Sequence, residues 1–245
     1  MVVEINRSAS IRIAALLSII PIILLFTPYE IKLLILKAGE LGAIEIMTAL
    51  AFLGSMLISL AAIPRSSGWI RMNFILWFIL SLLFFGEETS WLQHYLKYET
   101  PEIINEHNAQ GEFNIHNLSW LQSNTKLIDF FRGDGKISLG AQQLFAAGFF
   151  FYFLILPFSY WHPYIKGILL KYSVLTPGKI LATTICLPII ITYVAEIPGG
   201  RQWSMVELRE LYFGFSIALF IFLAQKQTAS STSPSSHQSE PPNHA

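Results

Sequence analysis

The chain has 245 residues, of which 53% are apolar and only 13% are Lys, Arg, Asp or Glu. A soluble domain keeps its surface solvated with roughly 25% charged residues. Sixteen basic residues balance sixteen acidic ones, which leaves no cationic surplus for holding nucleic acid. The single cysteine, Cys186, excludes an internal disulfide framework and a cysteine-cluster metal site. With a mean hydropathy of +0.51, the composition points to an all-α polytopic membrane protein.

A helix needs about 20 mostly apolar residues to cross the hydrocarbon. Six stretches qualify or nearly so, predicting spans over about 11–27, 41–63, 69–90, 141–161, 178–197 and 207–225. The first follows Arg7 and Arg12, as a signal peptide would. The Thr27-Pro28-Tyr29-Glu30 that comes next has no small-x-small cleavage pattern, so it reads as an uncleaved span. Residues 31–38, apolar with two lysines, are too short to cross and suit an interfacial or short buried helix. Pro21, Pro157 and Pro188 should kink their spans.

With the N-terminus in the cytoplasm, the cytoplasmic segments carry Arg7, Arg12, Arg65, Arg71, Lys166, Lys171, Lys179 and Lys226 against Glu4 and Glu240. Basic counts tie at eight on each side, and the orientation rests on the concentration of these residues on short connections, since the long 87–140 segment counts for less. The expected arrangement is an inner (plasma) membrane protein with both termini cytoplasmic. Residues 1–227 form one transmembrane domain, and a long polar loop over 91–140 faces outward. The tail 228–245, rich in Ser, Pro, Gln, Thr and His, cannot bury a core and is expected to be disordered.

The chemistry is concentrated where the third span ends. Gly86-Glu87-Glu88-Thr89-Ser90-Trp91 runs on through His94, Thr100-Pro101-Glu102 and His107 to Gly111-Glu112-Phe113-Asn114-Ile115-His116. If the third helix continues past Gly86, then Glu87, Ser90, Trp91 and His94 share one face, with Glu87 and His94 two turns apart. Glu88 then faces elsewhere. Thr100 can cap a short helix that begins at Pro101 and runs to about His107. Residues 108–112 read as a turn, with Gly111 supplying the freedom. In an extended run Glu112, Asn114 and His116 share one side.

The candidate site is therefore Glu87, Ser90, His94, Glu112 and His116. Ionisable groups at membrane depth face a cavity or a partner. Three readings stand together: a zinc site made of His and Glu with an open water position, metal-free acid–base or substrate-binding chemistry, and a structural polar network tying the loop to the helices. No HExxH spacing supports the metal, and the cofactor stays unassigned. His107 reads as surface, and His162 as part of an interface anchor outside the site.

Trp120 and Phe130-Phe131 suggest that 118–131 lies on the bilayer surface, and 132–136 is a turn. Asp129 and Asp134 lack the spacing of a calcium loop. Late in the chain Glu196 ends the fifth span, and Ser204 with Glu207 fits a capping box. Glu196, Glu207 and Glu210 are placed to meet Glu87 and His94 at one outer pocket. Arg209 can neutralise Glu88 or Glu196. Glu45 lies about one turn inside the second span.

The stretch GEETSW…YETPE…NAQGEFNIHNL, over roughly residues 86–118, resembles a family of uncharacterised bacterial multi-pass membrane proteins. That family has a GEE-x-SW start and a QGE-x-N-x-HN ending. The resemblance implies a multi-pass fold and brings no activity with it. Ser90 and His94 are also similar to the Ser-x3-His element of alkaline ceramidase-like membrane hydrolases. That group's late His-x3-His pair has no counterpart here, where the late segment offers Glu196, Glu207 and Glu210. The functions left in view are a membrane-embedded hydrolase or transferase acting on a lipid, a small-solute transporter, and a structural member of a membrane complex. The expected partners are membrane lipids and a membrane protein or a second copy of the chain.

Overall fold

A computed structural model describes residues 1–27, 42–108, 111–115, 118–119, 140–195 and 203–232. The long helices are α1 (Arg7–Phe26), α2 (Ala43–Ala62), α3 (Gly68–Glu88), α6 (Ala141–Trp161), α8 (Lys179–Ala195) and α9 (Trp203–Thr232). Short helices α4 (Gln93–Leu96), α5 (Glu102–Asn105) and α7 (Pro163–Lys171) lie in the connections. Among the described residues four helices are long and apolar enough to cross a membrane, namely α1, α2, α3 and α6. The 17-residue α8 is a shorter apolar helix.

Local chemistry explains the helix ends. The Asn6 side chain accepts hydrogen bonds from the Ser8 and Ala9 amides and starts α1, a cap worth about 1 kcal/mol. Pro64 sits in a 3-10 turn, Ile63–Arg65, that closes α2, and Gly68 takes φ +53° to begin α3. Within α6 the residues Phe151–Ile155 widen into a π-helical segment just before Pro157, whose missing N–H breaks the regular ladder. Pro21 and Pro188 lie inside α1 and α8.

In lipid, helices associate through close packing rather than hydrophobic transfer, so small residues mark the contacts. Thr48, Ala51, Ser55, Ser59 and Ala62 form a buried small face on α2. α2 packs chiefly against α9 and α3, and α1 against α8. A Cβ on Gly214 of α9 would lie 3.2 Å from the Ala51 Cβ, so the two backbones approach closely. Thr48, Ser55 and Thr184 turn their hydroxyls back to the carbonyls of Ile44, Ala51 and Ile180, the usual way to satisfy them away from water. Trp77, Phe149, Phe153, Phe213 and Phe220 fill the middle of the bundle, with Phe149 and Phe153 stacked at 4.5 Å. Tyr212 of α9 donates to the Leu17 carbonyl and ties α1 into the bundle.

One end is closed by the N-terminal strap. Strands β1 (Val2–Val3) and β2 (Thr176–Pro177) pair in parallel, and the Met1 amine donates to the Val174 carbonyl at 3.0 Å. Gln227, near the end of α9, donates to the Glu4 carbonyl at 2.8 Å. The Asn73 side chain bonds both Ser173 and Leu175. At the other end Gln142 reaches Glu210 at 3.0 Å, and the carboxylates of Glu45, Glu207 and Glu210 lie within electrostatic reach of Glu88.

Helix boundaries fall within a few residues of the expected spans, with one clear difference. α9 continues to Thr232, so helix replaces the expected tail over 228–232, where Thr228 is buried and bonds back to Ala224. The expectations for residues 31–38, 120–136, Glu196 and 233–245 lie outside the described residues.

Candidate functional site

The site grows from the end of α3. Thr89 turns its hydroxyl to the Phe85 carbonyl at 2.8 Å, and the helix stops. The next three residues, Ser90, Trp91 and Leu92, take φ of 45°, 54° and 65°. Left-handed backbone costs a non-glycine residue roughly 1–2 kcal/mol. The chain therefore turns with the wrong hand for three residues before α4 begins. Tyr98 supports this turn by donating to the carbonyls of Ser90 (3.2 Å) and Trp91 (3.0 Å). Partial burial pushes the Tyr98 phenol above its ordinary value of 10.0.

The turn folds the Trp91 indole back over Gly86, where a Cβ would lie 2.7 Å from the ring. The indole N–H donates to Glu87 Oε1 at 3.1 Å. The other Glu87 oxygen accepts the Ile115 amide at 2.7 Å. Glu87 thus joins the helix end, its own turn and the returning chain.

The returning chain is shaped by Gly111, at φ +70°, whose amide donates to the Asn108 carbonyl. Asn108 accepts the Glu112 amide at 3.2 Å and donates to the Asn114 carbonyl and side chain at 2.9 and 3.0 Å. Gln93 accepts the Phe113 amide and donates to Thr100 Oγ1, which in turn donates to the Gly111 carbonyl, each at 2.7 Å.

These supports converge on Glu112, a buried carboxylate at 8% exposure. Its Oε2 accepts from Ser90 Oγ and from Asn114 Nδ2, both at 2.6 Å. Asn114 also donates to Ser90 Oγ at 3.0 Å. Glu112 Oε1 faces His94 Nε2 at 3.2 Å. The His94 side chain is 32% exposed and the Glu112 side chain 10%, so the pair runs from the interior to the surface. Donors on both oxygens satisfy the buried carboxylate, which would otherwise be costly.

Of the five expected site residues, Ser90, His94 and Glu112 meet directly. Glu87 joins the same cap through Trp91 and Ile115. His116 lies outside the described residues. The route is not the expected one. α3 does not continue to His94, because the left-handed turn interrupts it, and so Glu87 and His94 do not share a helix face. The expected alternation holds for Glu112 and Asn114, whose side chains both reach Ser90. Thr100 does not cap α5: the N-cap is Pro101, and the Thr100 hydroxyl is held by Gln93 and Gly111 instead. Glu88 does face elsewhere, towards Glu45, Glu207 and Glu210. That places Glu207 and Glu210 with Glu88 rather than with the Glu87–His94 side of the helix end. The Arg209 guanidinium lies 3.8 Å over the Tyr193 ring. His107 and His162 are exposed.

Asn108, Gln93, Tyr98 and Thr100 were not among the expected site residues, and Asn114 was seen only through its alternation with Glu112. The density of amides in the segment was the available signal. Among the described residues no group of three or more His, Cys, Asp or Glu side chains is placed to hold a metal ion. Among the described residues His94 and Glu112 supply two donors, one fewer than the three protein ligands of a catalytic zinc site.

Comparison with protein-family models, curated proteins and solved structures finds no match for the chain.

Proposed function

We propose that the protein is a six-span inner-membrane protein whose outward polar cap carries an acid–base pair, His94 and Glu112, acting on a lipid or lipid-linked substrate. α8 and the apolar length of α9 complete the four clear spans. Basic residues divide eight and eight between the two ends, but those at the strap end lie on short connections, where the positive-inside rule carries most weight, which favours a cytoplasmic position for that end. The cap then faces outward.

The observation that carries the reading is the geometry at Glu112. A buried carboxylate, fixed by Ser90 and Asn114, orients an imidazole that reaches the surface. Glu112 Oε1 accepts a proton-bearing His94 Nε2, which leaves Nδ1 as the basic nitrogen. That nitrogen takes the proton of a water or hydroxyl as its oxygen attacks a carbonyl or phosphoryl centre, and returns it to the departing oxygen. Ser90 is not the nucleophile, since its hydroxyl is buried and donates to Glu112. Leu92, Tyr95, Leu96, Ile103 and Ile115 are exposed around the cap, which suits an interfacial setting and an amphiphilic substrate. A second reading, solute transport, draws on the acids gathered around Glu88.

The test uses the full chain in vesicles of polar bacterial lipid, with lipid species followed by mass spectrometry. The wild type should convert one lipid class. His94→Ala and Glu112→Gln should slow conversion at least about 100-fold, the scale of acid–base catalysis, while the helical fold is retained. Equal conversion by wild type and His94→Ala would refute the proposal, as would no conversion by either. Solute uptake that depends on the acids at Glu88 would then favour transport.

A further inference from the structure

We infer that the corner formed by α7 is a binding surface for the headgroups of anionic phospholipids in the bilayer that holds the protein. This does not rest on the activity proposed for the cap at the other end. α7 is a nine-residue helix between α6 and α8, and Leu169 is its one buried residue. Tyr164, Ile168 and Leu170 are exposed, and so is Trp161 just before it. Lys166 and Lys171 are exposed on the same short helix. The Lys171 ammonium lies 5.3 Å from the Tyr172 ring centre, and Trp69 meets that ring edge-on at 4.9 Å. The Lys179 ammonium lies 5.7 Å from the Phe158 ring centre.

The backbone behind this corner is pinned. Asn73 holds Ser173 and Leu175, the Met1 amine holds Val174, and the Tyr152 hydroxyl holds Leu175. The exposed side chains are therefore presented on a fixed frame. Aromatic and aliphatic groups beside lysines suit the boundary between acyl chains and phosphates: the rings and Ile168 enter the apolar layer while the ammonium groups reach the phosphates. The charge agrees. All eight basic residues at this end are exposed, and Glu4 is the one acid there among the described residues. A soluble acidic partner would match the charge but would leave Trp161, Tyr164 and Ile168 in water.

The experiment titrates the full-length protein in neutral detergent with dansyl-labelled phosphatidylglycerol or phosphatidylcholine. Energy transfer from tryptophan reports binding. Phosphatidylglycerol should bind at least about tenfold more tightly. Each lysine near an anionic surface is worth about fivefold, so Lys166→Gln with Lys171→Gln should weaken phosphatidylglycerol about 30-fold. Phosphatidylcholine should be unaffected. Lys97→Gln, at the other end, should keep the preference. Raising NaCl to about 0.5 M should erase the preference in the wild type, a check that needs no variant to fold. Equal affinity for both lipids, a preference that survives salt, or a preference that survives loss of both lysines would overturn the inference.

Discussion

Gly86→Ala is the sharpest test of the cap's construction. A Cβ there would meet three atoms of the Trp91 ring at 2.7–2.8 Å. Ordinary contact starts near 3.5 Å, so the ring must retreat by most of an ångström. It cannot do so freely. Its N–H is already 3.1 Å from Glu87, and its backbone is fixed in the left-handed turn. The variant therefore strains the packing, at about 1–3 kcal/mol. It also threatens a hydrogen bond to a charged group, worth about 1.5–3 kcal/mol. The better helix propensity of Ala returns about 1 kcal/mol. A net loss of about 2 kcal/mol or more is expected, focused on the cap rather than the bundle. Gly54 and Gly148 are the controls, because a Cβ on either meets nothing within 4 Å. Limited proteolysis between residues 93 and 108 reads the opening of the cap. When closing outpaces cleavage, the rate follows the open population, so Gly86→Ala should be cut at least about 30-fold faster than wild type. Gly54→Ala and Gly148→Ala should match wild type. Cleavage of Gly86→Ala within about threefold of the controls would show that Trp91 does not seat on Gly86 and that the cap is built otherwise.

Two further outcomes follow from the same geometry. Glu112→Ala strands the buried donors of Ser90 and Asn114, and should destabilise the cap by about 1–3 kcal/mol, whereas Glu112→Gln retains an acceptor and should cost less; amide hydrogen exchange over residues 111–115 distinguishes them, and equal protection in both variants would contradict the placement of the carboxylate. Tyr98 supplies a pH dependence. Burial raises its phenol in the folded protein, so the stability linked to the neutral phenol is fully present below its ordinary value of 10.0 and is lost as pH rises through the higher folded value. Cap proteolysis should accelerate there in wild type and not in Tyr98→Phe, which lacks the titrating group.

The fold was legible because lipid imposes a simple grammar. A crossing helix must be continuous and apolar, so runs such as 43–62 and 68–88 announce themselves, and their ends fall where Gly42 or Glu88 interrupts them. α9 outruns its apolar stretch because its last turns, Gln225 to Thr232, are polar, and hydropathy alone cannot mark helix beyond the apolar run. The polar cap was legible as a place, since Glu87, Ser90, His94 and Glu112 stood out against an apolar chain, while His116 lies outside the described residues. Its geometry was not legible. Nothing in Thr89-Ser90-Trp91-Leu92 marks a left-handed turn, which usually recruits Gly or Asn. The cause is tertiary: Tyr98 and Glu112 supply bonds that only exist once the returning chain is in place. Thr100 shows the same override, because a residue well suited to capping its own helix is taken by Gln93 and Gly111.

The adjacent acids at the end of α3 now have separate explanations. Glu87 turns outward to hold Trp91 and Ile115. Glu88, about 100° round the helix, turns inward to the acids of α2 and α9. The spacing from Gly86 to Trp91 is then a sequence of distinct tasks: room for the indole, an acceptor for it, an inward carboxylate, a helix stop, a donor for Glu112, and the ring that folds back. Stability alone does not demand this design. The left-handed turn costs roughly 3–6 kcal/mol over three residues. A buried carboxylate held by polar partners is often no more stable than an apolar replacement. Both expenses fall on the residues that set the partly exposed His94 imidazole against the buried Glu112 carboxylate. Strain and a buried carboxylate are thus gathered behind one partly exposed imidazole, and His94 is the group to which that arrangement leads.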